Sequence, residues 1–185
     1  MKKQVKKTAL FLMLLTASIS FGQEKDTSDK RGSFKFGVKA GYANTNFAGD
    51  ADTDAASNFY IGGLVDFSIS EKLHIQPELL YSMEGSDEDE LNLDFIRIPV
   101  MFKYFVGEGF NLQAGPQVAF VAGGGLVKDF TKSMDFGLGF GAAYELNSGL
   151  FFDARYNLGL TDLNDTGSPE KITTNSFQVG LGYRF

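Results

Sequence analysis

From Phe34 onward the chain switches between apolar and polar residues one position at a time, and it does so in eight separate runs. In the first, Phe34, Phe36, Val38, Ala40 and Tyr42 alternate with Lys35, Gly37, Lys39 and Gly41. Successive side chains of an extended backbone point to opposite faces, so this is a strand with one apolar side. Its length of about nine residues is that of a tilted strand crossing a bilayer. Phe59–Ile69 repeats the pattern, setting Phe59, Ile61, Val65 and Phe67 against Tyr60, Gly62, Leu64, Asp66 and Ser68. After Ser70-Glu71-Lys72, Leu73, Ile75, Leu79 and Tyr81 oppose His74, Gln76 and Glu78.

The later runs are Asp94–Val106, Phe110–Val121, Met134–Leu146, Leu150–Leu160 and Ser176–Phe185. Each carries Phe, Leu, Ile, Val, Ala or Tyr on one face. The connections alternate in length: long at 44–58, 84–93, 122–133 and 161–175, short at 70–72, 107–109 and 147–149. This rhythm predicts an all-β fold, an eight-stranded antiparallel up-and-down barrel with one long-looped end. Pro77, Pro99 and Pro116 fall inside strands; proline donates nothing to a ladder, so bulges or strand ends are expected to absorb them.

Alternation alone also describes a soluble barrel, and the identity of the polar face decides between them. That face carries Lys35, Lys39, Asp66, Glu78, Arg97, Lys103, Asp135, Glu145, Asp153, Arg155 and Arg184. The set is nearly balanced in sign. A closed interior holds such charges only as paired networks, because an isolated buried ion costs several kcal/mol. The apolar face then meets lipid, with Tyr42, Tyr81, Tyr104, Tyr144, Phe34 and Phe185 expected near strand ends as interfacial aromatics. The mildly negative mean hydropathy fits, since every second strand residue is polar.

The start of the chain has a different character. Lys2, Lys3, Lys6 and Lys7 precede an apolar stretch from Thr8 to Phe21 that ends among Ser18, Ser20 and Gly22. Residues 1–22 therefore read as a secretory signal peptide, too short to span a membrane as a helix. Residues 23–33 form a short flexible segment and 34–185 the barrel domain. The sequence has no Cys, which excludes a lipid-anchored lipoprotein. Without the leader, 13 basic side chains face 23 acidic ones, which argues against a nucleic-acid partner.

Asp94-Phe95-Ile96-Arg97-Ile98-Pro99-Val100-Met101-Phe102-Lys103-Tyr104-Phe105, followed by Phe110-Asn111-Leu112-Gln113-Ala114-Gly115-Pro116, resembles the PorT-like, "porin family" outer-membrane β-barrel proteins of Bacteroidetes. Arg155-Tyr156-Asn157-Leu158-Gly159-Leu160 is similar to that family's penultimate strand. Gly180-Leu181-Gly182-Tyr183-Arg184-Phe185 resembles the terminal-aromatic signal read by the barrel assembly machinery. The resemblance spans roughly Phe34 to Phe185, and its motifs are structural. It implies an outer-membrane location in a Gram-negative envelope, periplasmic termini, and assembly through the strand ending at Phe185. Outer-membrane lipid and lipopolysaccharide are the partners this location implies.

Three features carry candidate chemistry. His74, the one histidine, lies on the polar face near Glu78; a lipid-modifying triad would place it on the lipid side beside Ser and an acid, so a satisfied interior histidine is the preferred reading. Asp50, Asp52 and Asp54, and Asp87, Glu88, Asp89 and Glu90, are acidic loop clusters. The first begins like a calcium loop, but Ala55 replaces the turn glycine and Ile61 the closing Glu; Asp162, Asn164, Thr166 and Gly167 begin likewise and end on Thr173. The loop acids could bind divalent cations bridging surface lipopolysaccharide, but solvated loop charge is preferred, with no metal or cofactor. Gly37, Gly41, Gly137, Gly139, Gly141, Gly180 and Gly182 face inward on strands one, six and eight, taken as neighbours across the closure. They read as relief for curvature or, alternatively, as a thin-walled solute path. The expected function is a non-enzymatic structural or surface-interaction barrel, with a narrow channel and then a lipid-modifying enzyme as alternatives.

Overall fold

A computed structural model describes residues 32–49, 56–84, 93–124, 134–161 and 172–185. The stretch 1–22 expected to be a signal peptide, nearly all of segment 23–33 and the acidic clusters at 50–54, 87–90 and 162–167 lie outside the described residues. Eight strands follow one another: β1 (Phe34–Gly49), β2 (Ala56–Ser68), β3 (Leu73–Glu84), β4 (Leu93–Phe105), β5 (Phe110–Gly124), β6 (Met134–Glu145), β7 (Leu150–Gly159) and β8 (Ile172–Arg184). Each pairs antiparallel with the next, and β8 pairs with β1 to close the barrel. Closure leaves no strand edge unpaired, which is what a sheet needs to span a bilayer.

The barrel is inside-out relative to a soluble one. Phe59 is 67% exposed while Lys39 is 2% exposed. Outward positions are apolar along almost the whole wall, for example Phe102, Leu112, Phe136, Phe152 and Leu181, all exposed. They turn polar only toward the long-loop end, at Asn44, Ser57, Asp94 and Asn175. These residues mark one edge of the lipid-facing band.

Four strands run beyond their expected ends: β2 starts at Ala56 and β5 continues to Gly124, and β1 and β8 extend furthest. β1 continues through Asn44, Thr45 and Asn46 to Gly49, and β8 starts at Ile172, so Asn46 pairs with Asn175 and Ala48 with Thr173. Asn44, Thr45 and Asn46 break the alternation, so the period-two signal stops although the ladder does not. Tyr42 consequently lies within β1 rather than near its end.

The prolines are accommodated without bulges. Between β2 and β3 the pairs run Leu64 with Glu78 and then Phe67 with Ile75, passing over Pro77 in unchanged register. β3 with β4 passes over Pro99 in the same way, and β4 with β5 over Pro116. Each proline thus sits at a short gap in the ladder toward its preceding strand. The register shift that does occur, at Asp94 and Phe95, is remote from all three.

The short turns are closed locally. Ser70 Oγ accepts from the backbone N–H of Leu73 at 3.0 Å, a side-chain mimic of a backbone turn. In the turn before β7, Gly149 takes φ +92° and donates to the Leu146 carbonyl, a conformation that favours glycine.

Candidate functional site

The strands deliver their charged side chains into the lumen, where they form two ion-pair tiers. In the central tier, Arg155 from β7 grips Glu78 of β3 with both terminal nitrogens, at 2.8 and 2.6 Å. Its Nε lies 3.0 Å from both Asp153 and Gln113. Lys39 of β1 donates to Asp153 at 2.6 Å and stands 3.7 Å from Glu78. Two cations thus face two carboxylates, all fully or nearly buried. The two-pronged guanidinium–carboxylate contact fixes orientation as well as charge.

A second tier lies toward the short-turn end. Lys103 of β4 contacts Asp66 and Glu145, each at 2.5 Å. Arg184 of β8 reaches Asp66 at 3.1 Å and also pairs with Glu145. Again the charges balance. Two glutamines stitch the tiers together: Gln76 donates to Glu78 at 2.6 Å and accepts from Lys103 at 2.9 Å. Gln113 accepts from Arg155 and donates to Asn111 at 3.0 Å, and Asn111 in turn donates to Glu145 at 3.2 Å.

Further along the strands toward the long loops the filling changes. Ala43, Tyr60 and Leu80 make an apolar cluster, and Phe95 packs with Ala119. Beyond them Thr174 donates to Asp135 at 2.9 Å and Asn157 to Ser176 at 3.2 Å. Arg97 lies over the Phe95 ring, 5.1 Å from its centroid. Charged tiers and an apolar layer in series leave the described lumen occupied by its own side chains, as the width of eight strands allows.

The inward glycines serve this filling. A Cβ on Gly41 would sit 2.5 Å from the Tyr60 ring, and one on Gly141 2.8 Å from Cγ of Arg155. On Gly182 it would strike the Phe151 ring, and on Gly180 both Tyr60 and Asp153. They make room for large inward side chains, and at Gly41 and Gly141 also for the close backbone carbonyls of Val179 and Ala154 on the adjacent strands, as curvature requires. Strand β6 is also separated from β8 by β7, so the three glycine-bearing strands are not mutual neighbours as expected.

His74 is a lumen residue near the short-turn end, and its partner is Asp66 rather than Glu78. Nδ1 lies 2.5 Å from Asp66 and 3.5 Å from Ser68 Oγ, with the ring 4.8 Å from that of Phe105. Serine, histidine and aspartate meet here, but both contacts fall on one ring nitrogen. A nucleophilic triad uses one nitrogen for the acid and the other for the hydroxyl. Changing His74 to Ala should therefore leave the envelope lipid profile unchanged by mass spectrometry; accumulation of an unprocessed lipid species would establish catalysis. Among the described residues no group of His, Asp and Glu is arranged to hold a metal ion.

The family model for the outer membrane protein beta-barrel domain matches residues 9–185. The chain belongs to that family. Its fold, lipid face and family all set this barrel in the outer membrane. No curated protein matches the sequence. Among solved structures, the barrel is similar to Ail, the attachment invasion locus protein of Yersinia pestis, at 15% identity and TM-score 0.53, covering 84% of this chain and 99% of that one. Neisserial surface protein A is similar at 15% identity and TM-score 0.57, with 81% and 97% covered. The outer membrane enzyme PagL is similar at 15% identity and TM-score 0.59, with 80% and 98% covered. At these identities the likeness concerns the fold.

The sequence located the inward charges but not their partners. Glu78 with Arg155 and Asp66 with Lys103 are set by register and tilt across several strands. Gln76, Gln113 and Asn111 were missed as connectors. Their signal was present in hindsight: large amides on the inward face beside charges.

Proposed function

We propose that this barrel is a non-enzymatic outer-membrane scaffold, with both termini periplasmic, whose long loops carry surface interactions. The observation that carries the reading is the lumen filled by balanced ion-pair tiers. A path for solutes would require breaking Lys39, Glu78, Asp153 and Arg155 apart, all of them buried. In planar bilayers the purified barrel should give no reproducible conductance steps, and large uniform steps would overturn the reading.

The long-loop segments supply the chemistry of the surface. Residues 50–55, 85–92, 125–133 and 162–171 hold eleven acidic side chains and three lysines. Such loops favour basic partners or divalent cations and repel polyanions. Ail has been solved with the heparin analogue sucrose octasulfate; an attachment role for this barrel would have to use ligands of the opposite charge. The motifs around Arg97 and Pro99 support membership of the PorT-like branch, and the strand ending at Phe185 supports engagement of the barrel assembly machinery after export by the leader.

A further inference from the structure

We propose that the lipid-facing wall of β1, β2, β3 and β8 contains a seat for one acyl chain of an outer-leaflet glycolipid. The outer-leaflet assignment rests on the orientation proposed above. The wall has a recess of about 520 Å³ bordered by Tyr42, Phe59, Ile61, Tyr81 and Leu181, with Ala40 at its base.

The recess has a local cause. Ala40 is paired with Ile61 on one side and Leu181 on the other, so a methyl group stands between two large side chains. Tyr60, behind it, is turned into the lumen and 3% exposed. Tyr42 and Phe59 meet edge to face, with ring centroids 5.7 Å apart, and form an aromatic side to the hollow. The lining is nearly all apolar, as a hydrocarbon chain requires.

The depth and the rim identify the occupant. Tyr42 Oη bonds Ser57 Oγ, and Tyr81 is hydrogen-bonded to Asp94. Ser57 and Asp94 are where the outward face turns polar, so the two tyrosines span the interface with hydroxyls up and rings down. A chain lying in the recess would bring its head linkage to this rim. The rim offers a carboxylate and hydroxyls, and none of the side chains bordering the recess is cationic. It therefore suits a linkage that donates hydrogen bonds, through amide N–H or hydroxyl groups on the chain and sugar. A glycerophospholipid ester has only acceptors at that depth.

The test is native mass spectrometry of the barrel released from micelles holding equimolar lipid A and phosphatidylethanolamine. Wild type should retain one lipid A, and Ala40→Phe, which fills the recess, should lower that retention about tenfold. Ala142→Phe, on the outward face of β6, should retain lipid A like wild type. Equal retention in all three proteins, or phosphatidylethanolamine retained in place of lipid A, would overturn the seat. Each protein is first checked for a heat-modifiable gel shift, and Ala40→Leu replaces Ala40→Phe where the latter fails it. Protease cleavage of the long loops on whole cells tests orientation separately; protected loops would overturn the outer-leaflet assignment alone.

Discussion

Replacing Arg155 with methionine should destabilise the barrel by about 3–5 kcal/mol, the cost of stranding a buried carboxylate. Methionine keeps most of the volume, so the loss would come from charge rather than from a cavity. Glu78 would keep only Gln76 at 2.6 Å and Lys39 at 3.7 Å, and Lys39 is already committed to Asp153 at 2.6 Å. The control is the double variant Glu78→Met with Arg155→Met, which removes both charges together. It should lose markedly less than the single variant, because neither ion is left alone and Lys39 still has Asp153. Urea unfolding from vesicles, followed by the heat-modifiable gel shift, gives both values. Equal losses in the single and double variants would refute the pairing, and a loss below about 1 kcal/mol would show that water reaches the tier.

Phe140→Arg should cost about 2–4 kcal/mol, whereas Tyr144→Arg should cost about 0–1 kcal/mol. Both residues point outward on β6 and are similarly exposed, 46% and 49%. Depth is what separates them. Phe140 lies mid-strand, paired with Ala114 and Tyr156, at the level where an arginine cannot reach water. Tyr144 is one residue from the strand end, where a long cationic side chain extends to the interface. The same vesicle titration measures the difference. Equal small costs at both positions would mean that the exposed apolar face does not meet hydrocarbon.

Most of the wall was legible because lipid imposes a simple rule: every second residue apolar for as long as the strand is in the membrane. Where the rule ends, the reading ends too, and β1 beyond Tyr42 and β8 before Ser176 were lost. Pro77, Pro99 and Pro116 looked like interruptions because a sequence shows the missing donor but not the neighbouring ladder. The structure keeps register past each of them. The lumen was legible as a list and not as a network. Lys39 reaches a carboxylate on β7 and Lys103 one on β2, partners that depend on curvature, tilt and the room left by Gly41, Gly141 and Gly180. The recess at Ala40 could not be read at all, since an alanine is one more apolar residue until Ile61 and Leu181 are seen on either side of it.

The seam between β1 and β8 is the longest ladder in the barrel, running from Gly37 with Arg184 to Gly49 with Ile172. At its short-turn end the Phe185 N–H donates to the Phe36 carbonyl at 2.8 Å, so the two ends of the domain meet much as β4 and β5 meet around their turn. Topologically the strands form a ring, and β1 comes first only because synthesis starts there. A circular permutant that joined these ends and opened at residues 147–149 would begin with β7 and still contain every ladder, tier and lipid-facing residue described above.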